Sequence, residues 1–231
     1  MKTIHLKVLD AREMTSYVAE PVYKAKAAVI VVQEAFGVTA HVKELTQRFA
    51  REGYLAIAPE IFHRTAESGW TCAYTDFPAA QPHFMAITEK GMINDVQACY
   101  DWISKDQKVM AVGCSGYCLG GRVAFAANSK VPLKAAVSYY GGRIAPFLLP
   151  MAAKQIAPLL FFWGGKDAHI PADQIKSVTD ALDAAKKPYT NIVISDADHG
   201  FFTDDKESYN PTAAKLSWAT TLEFFKMHLL S

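Results

Sequence analysis

Short apolar runs and longer amphipathic segments alternate along most of the chain. Apolar runs bounded by polar or turn-forming residues predict buried strands, and segments with apolar positions three and four residues apart predict helices. The strand-like runs cover residues 27–33, 55–58, 110–115, 134–140, 158–163 and 191–194. The helical segments cover residues 42–52, 91–104, 119–128, 172–185 and 212–230.

Two further strands are predicted within residues 7–19, before the first helix. Strands that alternate with helices are joined by right-handed crossovers, so this order predicts an α/β fold. We expect a mostly parallel, doubly wound sheet of about eight strands, with helices on both faces and the early strands at an antiparallel edge. A chain of 231 residues with 51% hydrophobic composition is compatible with a single domain over residues 1–231.

The segment 113–122, G-C-S-G-Y-C-L-G-G-R, lies between a predicted strand and a predicted helix. Gly116 and Gly120 flank Cys118 in the pattern of a nucleophile elbow, a sharp turn whose central residue is strained and whose flanking positions lack room for side chains. A frame centred on Ser115 would need glycine where Tyr117 stands. The pattern predicts Cys118 as a nucleophile, although a buried structural cysteine would give the same match.

An acid and a histidine follow the elbow in the chain order that this architecture uses. Asp167 follows the apolar run 158–163 and a pair of glycines, and His199 follows the run 191–194. A histidine can activate a thiol, and a carboxylate can fix the tautomer of that histidine. The sequence therefore predicts Asp167 as the orienting acid and His199 as the base.

Backbone N–H groups can supply an oxyanion hole at the same place. Leu119 follows Cys118 at the predicted start of a helix, where the first N–H groups have no partner within the helix. The second donor normally comes from the loop after an earlier strand, and Ala35 lies directly after the run 27–33. We predict the Leu119 and Ala35 N–H groups as the two donors.

Four blocks of sequence, in order, resemble the dienelactone hydrolase family of α/β-hydrolases: Q-E-A-F-G at 33–37, G-Y-C-L-G-G at 116–121, G-G-K-D at 164–167 and H-G-F-F at 199–202. The resemblance implies the α/β-hydrolase fold, with Cys118 as nucleophile, His199 as base and Asp167 as orienting acid. It also implies that Glu34 is a carboxylate close to the thiol, which in the family is thought to help form the thiolate. The alternative is that Glu34 is a buried carboxylate paired elsewhere.

One departure from the family pattern concerns the substrate. Family members that act on dienelactone hold its carboxylate with arginines, one before the third long helix and one shortly after the catalytic histidine. Here residues 65–88 contain no arginine, Thr203 stands after the histidine block, and neither Arg64 nor Lys90 matches the pattern. The resemblance therefore supports the reaction class more strongly than dienelactone as the substrate.

Aromatic residues are scattered through residues 59–89, where the periodicity fails after the end of a strand. Binding crevices of open α/β sheets lie beyond such strand ends, so this segment is predicted to wall the substrate pocket, unless its aromatics form a satellite core. Phe36, Tyr117 and Phe201 are predicted to contact the substrate. His63 and His83 are interpreted as structural, and His169 as a loop histidine that bonds to backbone.

Composition limits the partners. The net charge of +1 gives no electrostatic preference for nucleic acid or an anionic membrane. The charged N-terminal segment lacks the apolar core of a signal peptide, and no apolar run is long enough to span a bilayer, so a cytoplasmic location is expected. The four cysteines form no C-x-x-C pair, and no metal site or cofactor is predicted. A monomer is the default expectation.

The sequence therefore predicts a cysteine-dependent hydrolase of small carboxylic esters or lactones. A catalytically silent or redox-sensing thiol protein on the same fold is the alternative from another class. A serine esterase is a second alternative, which the frame of the elbow disfavours.

Overall fold

The computed structural model of the protein, which describes residues 1–10 and 13–230, contains one sheet of eight strands. The strands are β1 (Lys2–Lys7), β2 (Glu13–Ala19), β3 (Ala27–Val32), β4 (Leu55–Pro59), β5 (Ala111–Tyr117), β6 (Ala135–Tyr139), β7 (Leu159–Gly164) and β8 (Tyr189–Ile194). Their order across the sheet is β1-β2-β4-β3-β5-β6-β7-β8. The pairs β1–β2 and β2–β4 are antiparallel, and the other pairs are parallel. The predicted mostly parallel sheet with an antiparallel edge is confirmed.

The first strand begins earlier than predicted. β1 ends at residue 7, where the predicted segment 7–19 starts, and only β2 falls wholly inside that segment. Charged and apolar residues alternate along β1, so it carries only a weak apolar signal, as expected for an edge strand. Residues 11 and 12 of the predicted segment lie outside the described residues, as does residue 231 of the predicted domain 1–231.

Six α-helices connect or follow the strands: α1 (Ala40–Arg51), α2 (Phe77–Met85), α3 (Glu89–Asp101), α4 (Leu119–Ala127), α5 (Ala172–Ala184) and α6 (Pro211–Leu229). A π-helical turn, Trp102–Asp106, continues α3, and a short 3₁₀ helix covers Leu149–Lys154. Helix α2 lies within residues 59–89, where the sequence shows no helical periodicity and no helix is predicted. Its sequence carries an internal Pro82, and Ala80 is its buried residue, so no apolar periodicity marked it.

Helices pack against both faces of the sheet. A Cβ atom at Gly113 of β5 would lie 2.8 Å from the Phe225 ring of α6, and one at Gly116 would lie 1.9 Å from the Gly120 carbonyl oxygen of α4. Positions three apart on a strand face opposite sides, so α6 and α4 cover opposite faces. All six residues of β3 are buried between these layers.

The carboxyl ends of the parallel strands meet at one edge of the sheet. Glu34 follows β3, Cys118 follows β5, Asp167 follows β7, and His199 follows β8. The topology therefore brings residues that are far apart in sequence to a common crevice. In the described part of the chain, no helix has both the length and the apolar character needed to cross a bilayer.

Candidate active site

Cys118 occupies a strained turn between β5 and α4. Its backbone has φ 52° and ψ −111°, a conformation that a residue with a side chain rarely adopts. The Cys118 N–H donates to the Tyr139 carbonyl at 3.0 Å, which ties the turn to the neighbouring strand β6. A Cβ atom at Gly120 would lie 2.3 Å from the Val32 carbonyl oxygen. The turn thus has the geometry of a nucleophile elbow, with its half-buried thiol at the edge of the sheet.

The Asp167 carboxylate binds the imidazole of His199. The His199 Nδ1 lies 2.7 Å from Asp167 Oδ2, and we assign the proton to Nδ1 because a carboxylate faces it. The other carboxylate oxygen accepts from the backbone N–H groups of His169 at 2.8 Å and Ile170 at 3.2 Å. The Asp167 side chain is 1% exposed, so both oxygens are fixed and the imidazole is held in one orientation.

The charges of this site shift the pKa values of its members. Burial by itself would lower the pKa of His199, but the adjacent Cys118 thiolate and the Asp167 carboxylate overcome burial and raise it to about 10. Burial by itself would raise the pKa of Asp167, but its hydrogen bond with His199 brings the pKa below its usual value. A histidine whose charged form is stabilised by a neighbouring cysteine and a carboxylate can support nucleophilic catalysis.

Glu34 lies at the end of β3, where its side chain forms an ion pair. Lys206 Nζ donates to Glu34 Oε1 at 2.9 Å, and Thr203 Oγ1 donates to Glu34 Oε2 at 3.3 Å. Both donors belong to the segment that follows His199. The structure therefore shows the predicted carboxylate bound to a cation, which agrees with the alternative interpretation of Glu34 as a paired, buried group.

A cavity of about 720 Å³ opens beside the thiol. Its wall includes the residues predicted as the nucleophile, the base, the two oxyanion donors and one pocket residue: Cys118, His199, Leu119, Ala35 and Phe36. The remaining wall is largely aromatic and comes from three segments. It includes Tyr74, Phe77 and Phe84 from the segment predicted to wall the pocket, Phe147 from the loop after β6, and the cations Arg143 and Lys206.

Two predicted pocket residues do not reach this cavity. Tyr117 is 2% exposed and stacks on Tyr139 with ring centres 4.5 Å apart, and Phe201 is fully buried. Tyr117 is the last residue of β5, and its side chain points into the core beside Phe202, with ring centres 5.3 Å apart. The prediction that Tyr117 and Phe201 contact substrate is therefore wrong, because residues next to a catalytic position in sequence can face the opposite way.

The three other histidines considered above occupy different surroundings. His63 bonds to Asp95 at 3.1 Å, and His83 Nδ1 lies 2.9 Å from Thr65 Oγ1, which agrees with structural roles. His169 differs, since its side chain lines the cavity and its ring lies 5.2 Å from the His199 ring, edge to face. Among the described residues, no cluster of three or more His, Cys, Asp or Glu side chains has the arrangement of a metal site.

Comparisons with known proteins agree with this geometry. The Dienelactone hydrolase family matches residues 14–229. A relative from Yersinia pestis, provisionally named carboxymethylenebutenolidase, is 34% identical over 95% of this chain and 85% of its own length. A relative from Synechocystis with the same provisional name is 33% identical over 94% of this chain and 93% of its own length. The crystal structure of a protein from Klebsiella pneumoniae, described provisionally as a dienelactone hydrolase, superimposes with a TM-score of 0.87 and 31% identity, covering 97% of this chain and 98% of that one.

Proposed function

Because the chain belongs to the dienelactone hydrolase family and is a carboxylic ester hydrolase of the α/β-hydrolase fold, we propose that it cleaves small carboxylic esters or lactones with the Cys118 thiolate as nucleophile. One observation carries the proposal. Cys118 and His199 share the wall of a single cavity, and Asp167 holds the His199 imidazole at 2.7 Å from outside that wall.

In the first half of the reaction, the Cys118 thiolate attacks the substrate carbonyl carbon. The negative charge moves to the carbonyl oxygen, where the Leu119 and Ala35 N–H groups can donate hydrogen bonds to it. The carbon–oxygen bond to the leaving group then breaks, and His199 gives its proton to the departing oxygen. The result is an alcohol, or in a lactone a hydroxyl that remains attached, and an acyl thioester on Cys118.

In the second half, His199 is neutral and can accept a proton from water. The hydroxide attacks the thioester carbonyl, the same two N–H groups stabilise the second oxyanion, and the carbon–sulfur bond breaks. The carboxylic acid leaves and the thiolate–imidazolium pair is restored. Asp167 stays ionised throughout and holds the imidazole in the orientation that both proton transfers need.

Hydrolysis of 4-nitrophenyl esters and of simple lactones tests this proposal. The wild-type protein is expected to hydrolyse them, and Cys118→Ala is expected to have no activity above the buffer rate. Cys114→Ala is the matched control, because Cys114 is a fully buried cysteine four positions earlier on β5. If the wild-type protein did not exceed the buffer rate, a thiol protein without hydrolase activity would be favoured; equal rates above the buffer rate in wild type and Cys118→Ala would contradict Cys118 as the nucleophile.

For Glu34 we propose a structural role in the free protein, supported by its ion pair with Lys206, whose side chain is 13% exposed. Glu34→Gln would leave the Lys206 ammonium without its partner, at a cost of about 3 kcal/mol in stability. The double variant Glu34→Gln/Lys206→Met should recover most of that loss, as thermal unfolding would show. If Glu34→Gln instead kept the wild-type melting temperature and shifted the acidic limb of the kcat/KM profile, Glu34 would act on the thiol.

A further inference from the structure

Arg143 places a cation in the cavity wall where no carboxylate compensates it. Its guanidinium carbon lies 5.6 Å from the centre of the Phe84 ring and 5.0 Å from that of Phe147. Within residues 1–10 and 13–230, Arg143 forms no ion pair. Its backbone has φ 62°, a left-handed conformation that is unfavourable for arginine and common at functional sites. The fold therefore holds this side chain at the cavity at some conformational cost.

A second arginine, Arg122, lies against the same aromatic ring. It belongs to α4, four residues after Cys118, and its guanidinium carbon lies 5.2 Å from the centre of the Phe84 ring. Arg122 is 8% exposed, and its Nε atom has no hydrogen-bond partner among the described residues. Burial, followed by the nearby Arg143 guanidinium, lowers the pKa of Arg122 to about 10, against an opposing effect of Cys118. Two like charges beside one aromatic ring repel each other, and an anion bound between them would relieve that repulsion.

Some arginines elsewhere in the described residues pair with carboxylates, whereas Arg48 lies over the Phe202 and Trp218 rings without an ion pair. Arg64 forms hydrogen bonds with Asp95 and Asp10, and exposed Arg51 pairs with Glu44. The second cation of the cavity wall, Lys206, is neutralised by Glu34 at 2.9 Å. Of the two cations in the cavity wall, Arg143 is therefore the one that has no carboxylate at ion-pair distance among the described residues.

We propose that Arg143, supported by Arg122, forms a subsite for a carboxylate carried by the ester or lactone substrate. A planar guanidinium binds a carboxylate through two parallel hydrogen bonds, and the aromatic wall around it leaves room for an apolar connecting chain. Neither arginine occupies a position where the family pattern places its substrate-binding arginines. This subsite rests on the proposed hydrolase function and specifies which substrates that function would favour.

Matched pairs of esters test the subsite: 4-nitrophenyl pentanoate, hexanoate and heptanoate, each compared with the mono-4-nitrophenyl ester of glutarate, adipate or pimelate. In each pair a carboxylate replaces the terminal methyl group of the neutral ester. We expect wild-type protein to prefer the half-ester at one chain length or more. Arg143→Gln should lower the ratio of the two kcat/KM values by about 10- to 100-fold, the value of a charge-assisted hydrogen bond. Arg143→Lys should lower the ratio by a smaller factor, because lysine keeps the positive charge but lacks the two parallel N–H donors of the guanidinium.

Arg51→Gln is the matched control, since it removes the same charge from an exposed ion pair outside the cavity wall and should keep the wild-type ratio. If the wild-type protein hydrolyses the neutral esters but prefers no half-ester, the subsite is refuted and the hydrolase function stands. An equal loss with both esters in Arg143→Gln also refutes it, because the guanidinium would then act on the thiolate.

A binding measurement keeps the two proposals separate. The 4-nitroanilide of adipate resists hydrolysis, and its binding to Cys118→Ala can be measured by calorimetry beside that of hexanoyl 4-nitroanilide. We expect the anionic anilide to bind more tightly, and to lose about 10- to 100-fold in affinity when Arg143→Gln is added. Equal affinities for the two anilides would overturn the subsite even if no ester were hydrolysed.

Discussion

Cys118, His199 and Asp167 can be compared with a second group of the same residue types, Cys99, His63 and Asp95. In both groups a histidine contacts a carboxylate, with a nitrogen–oxygen distance of 2.7 Å in the first and 3.1 Å in the second. In both, the cysteine interacts electrostatically with another member: Cys118 with His199, and Cys99 with Asp95. Residue identity and contact between histidine and acid therefore do not separate them.

The carboxylates of the two groups differ in their other partners. Asp167 accepts its remaining hydrogen bonds from backbone N–H groups, which carry no full charge. Asp95 is fully buried and accepts from the Arg64 guanidinium at 2.9 and 2.7 Å. An arginine that takes both carboxylate oxygens already neutralises Asp95, so less of its charge remains to stabilise an imidazolium.

The thiols differ even more in their access to ligands. Cys99 is fully buried on α3, and burial, followed by the charge of Asp95, raises its pKa well above the ordinary value. Cys118 is half-buried at the first turn of α4, beside a cavity of about 720 Å³. The second ring nitrogen of His63, Nδ1, is buried without a partner among the described residues. The proposed catalytic role of the first group therefore depends on a histidine–carboxylate pair that lies beside an accessible thiol and a cavity, which the second group lacks.

Removing each thiol should give the largest difference between the two groups. Cys118→Ala is expected to lower kcat by about 10⁴-fold or more, because the proposed acyl intermediate forms on this thiol. Cys99→Ala should keep kcat and lose about 1 kcal/mol of stability through a small cavity in the core. Ester hydrolysis and chemical denaturation measure the two effects. Loss of turnover in a folded Cys99→Ala would contradict the assignment of the nucleophile.

Removing each carboxylate should separate turnover from stability. Asp167→Asn is expected to cost up to roughly 10⁴-fold in kcat, since the imidazole would lose its orientation and its preferred tautomer. Asp95→Asn should spare kcat but destabilise the fold by about 3 kcal/mol, because the buried part of the Arg64 guanidinium loses its main acceptor. Steady-state kinetics and urea unfolding of both variants provide the check. Similar kinetic losses in the two variants would show that the distinction between the groups is mistaken.

The pKa of His199 distinguishes the effects of the two thiols. Its pKa of about 10 lies above the ordinary value of 6.5, so the folded protein holds this proton more tightly than the unfolded chain. That stabilisation is complete below the ordinary value and is lost as the pH rises through about 10. In Cys118→Ala the thiolate is gone, so the pKa of His199 should fall; an NMR titration of the ring measures this. Cys99→Ala should leave the titration in place, and an unmoved pKa in Cys118→Ala would remove the thiolate as its cause.

Much of the fold and the arrangement of the candidate site could be predicted, because their signals are local. Strands of the central sheet are short apolar runs, and the glycines around Cys118 report a turn that has no space for side chains. Asp167 and His199 could be placed because parallel strands end at one edge. These signals also carry the resemblance to the dienelactone hydrolase family, which the comparisons confirm.

The features that could not be predicted depend on distant contacts or on side-chain direction. Glu34 and Lys206 are 172 positions apart, and nothing near either residue identifies the other. Arg122 and Arg143 both lie beside the Phe84 ring, and Phe84 belongs to a helix without apolar periodicity. Tyr117 is predicted to contact the substrate, but its ring at the end of β5 points into the core and stacks on Tyr139.

The smallest expected effect concerns the second histidine. His63→Gln removes a hydrogen bond from Asp95, which keeps its two bonds with Arg64, so the loss of stability should be about 1 kcal/mol. Because His63 does not line the cavity, kcat and KM should match the wild-type values. His199→Gln is the matched change in the first group, and it should abolish turnover and also lower the unfolding temperature, because it removes the ion pair with the buried Asp167 carboxylate. Thermal unfolding and steady-state kinetics of the two variants decide the matter, and a folded His63→Gln with impaired turnover would mean that the buried group contributes to catalysis.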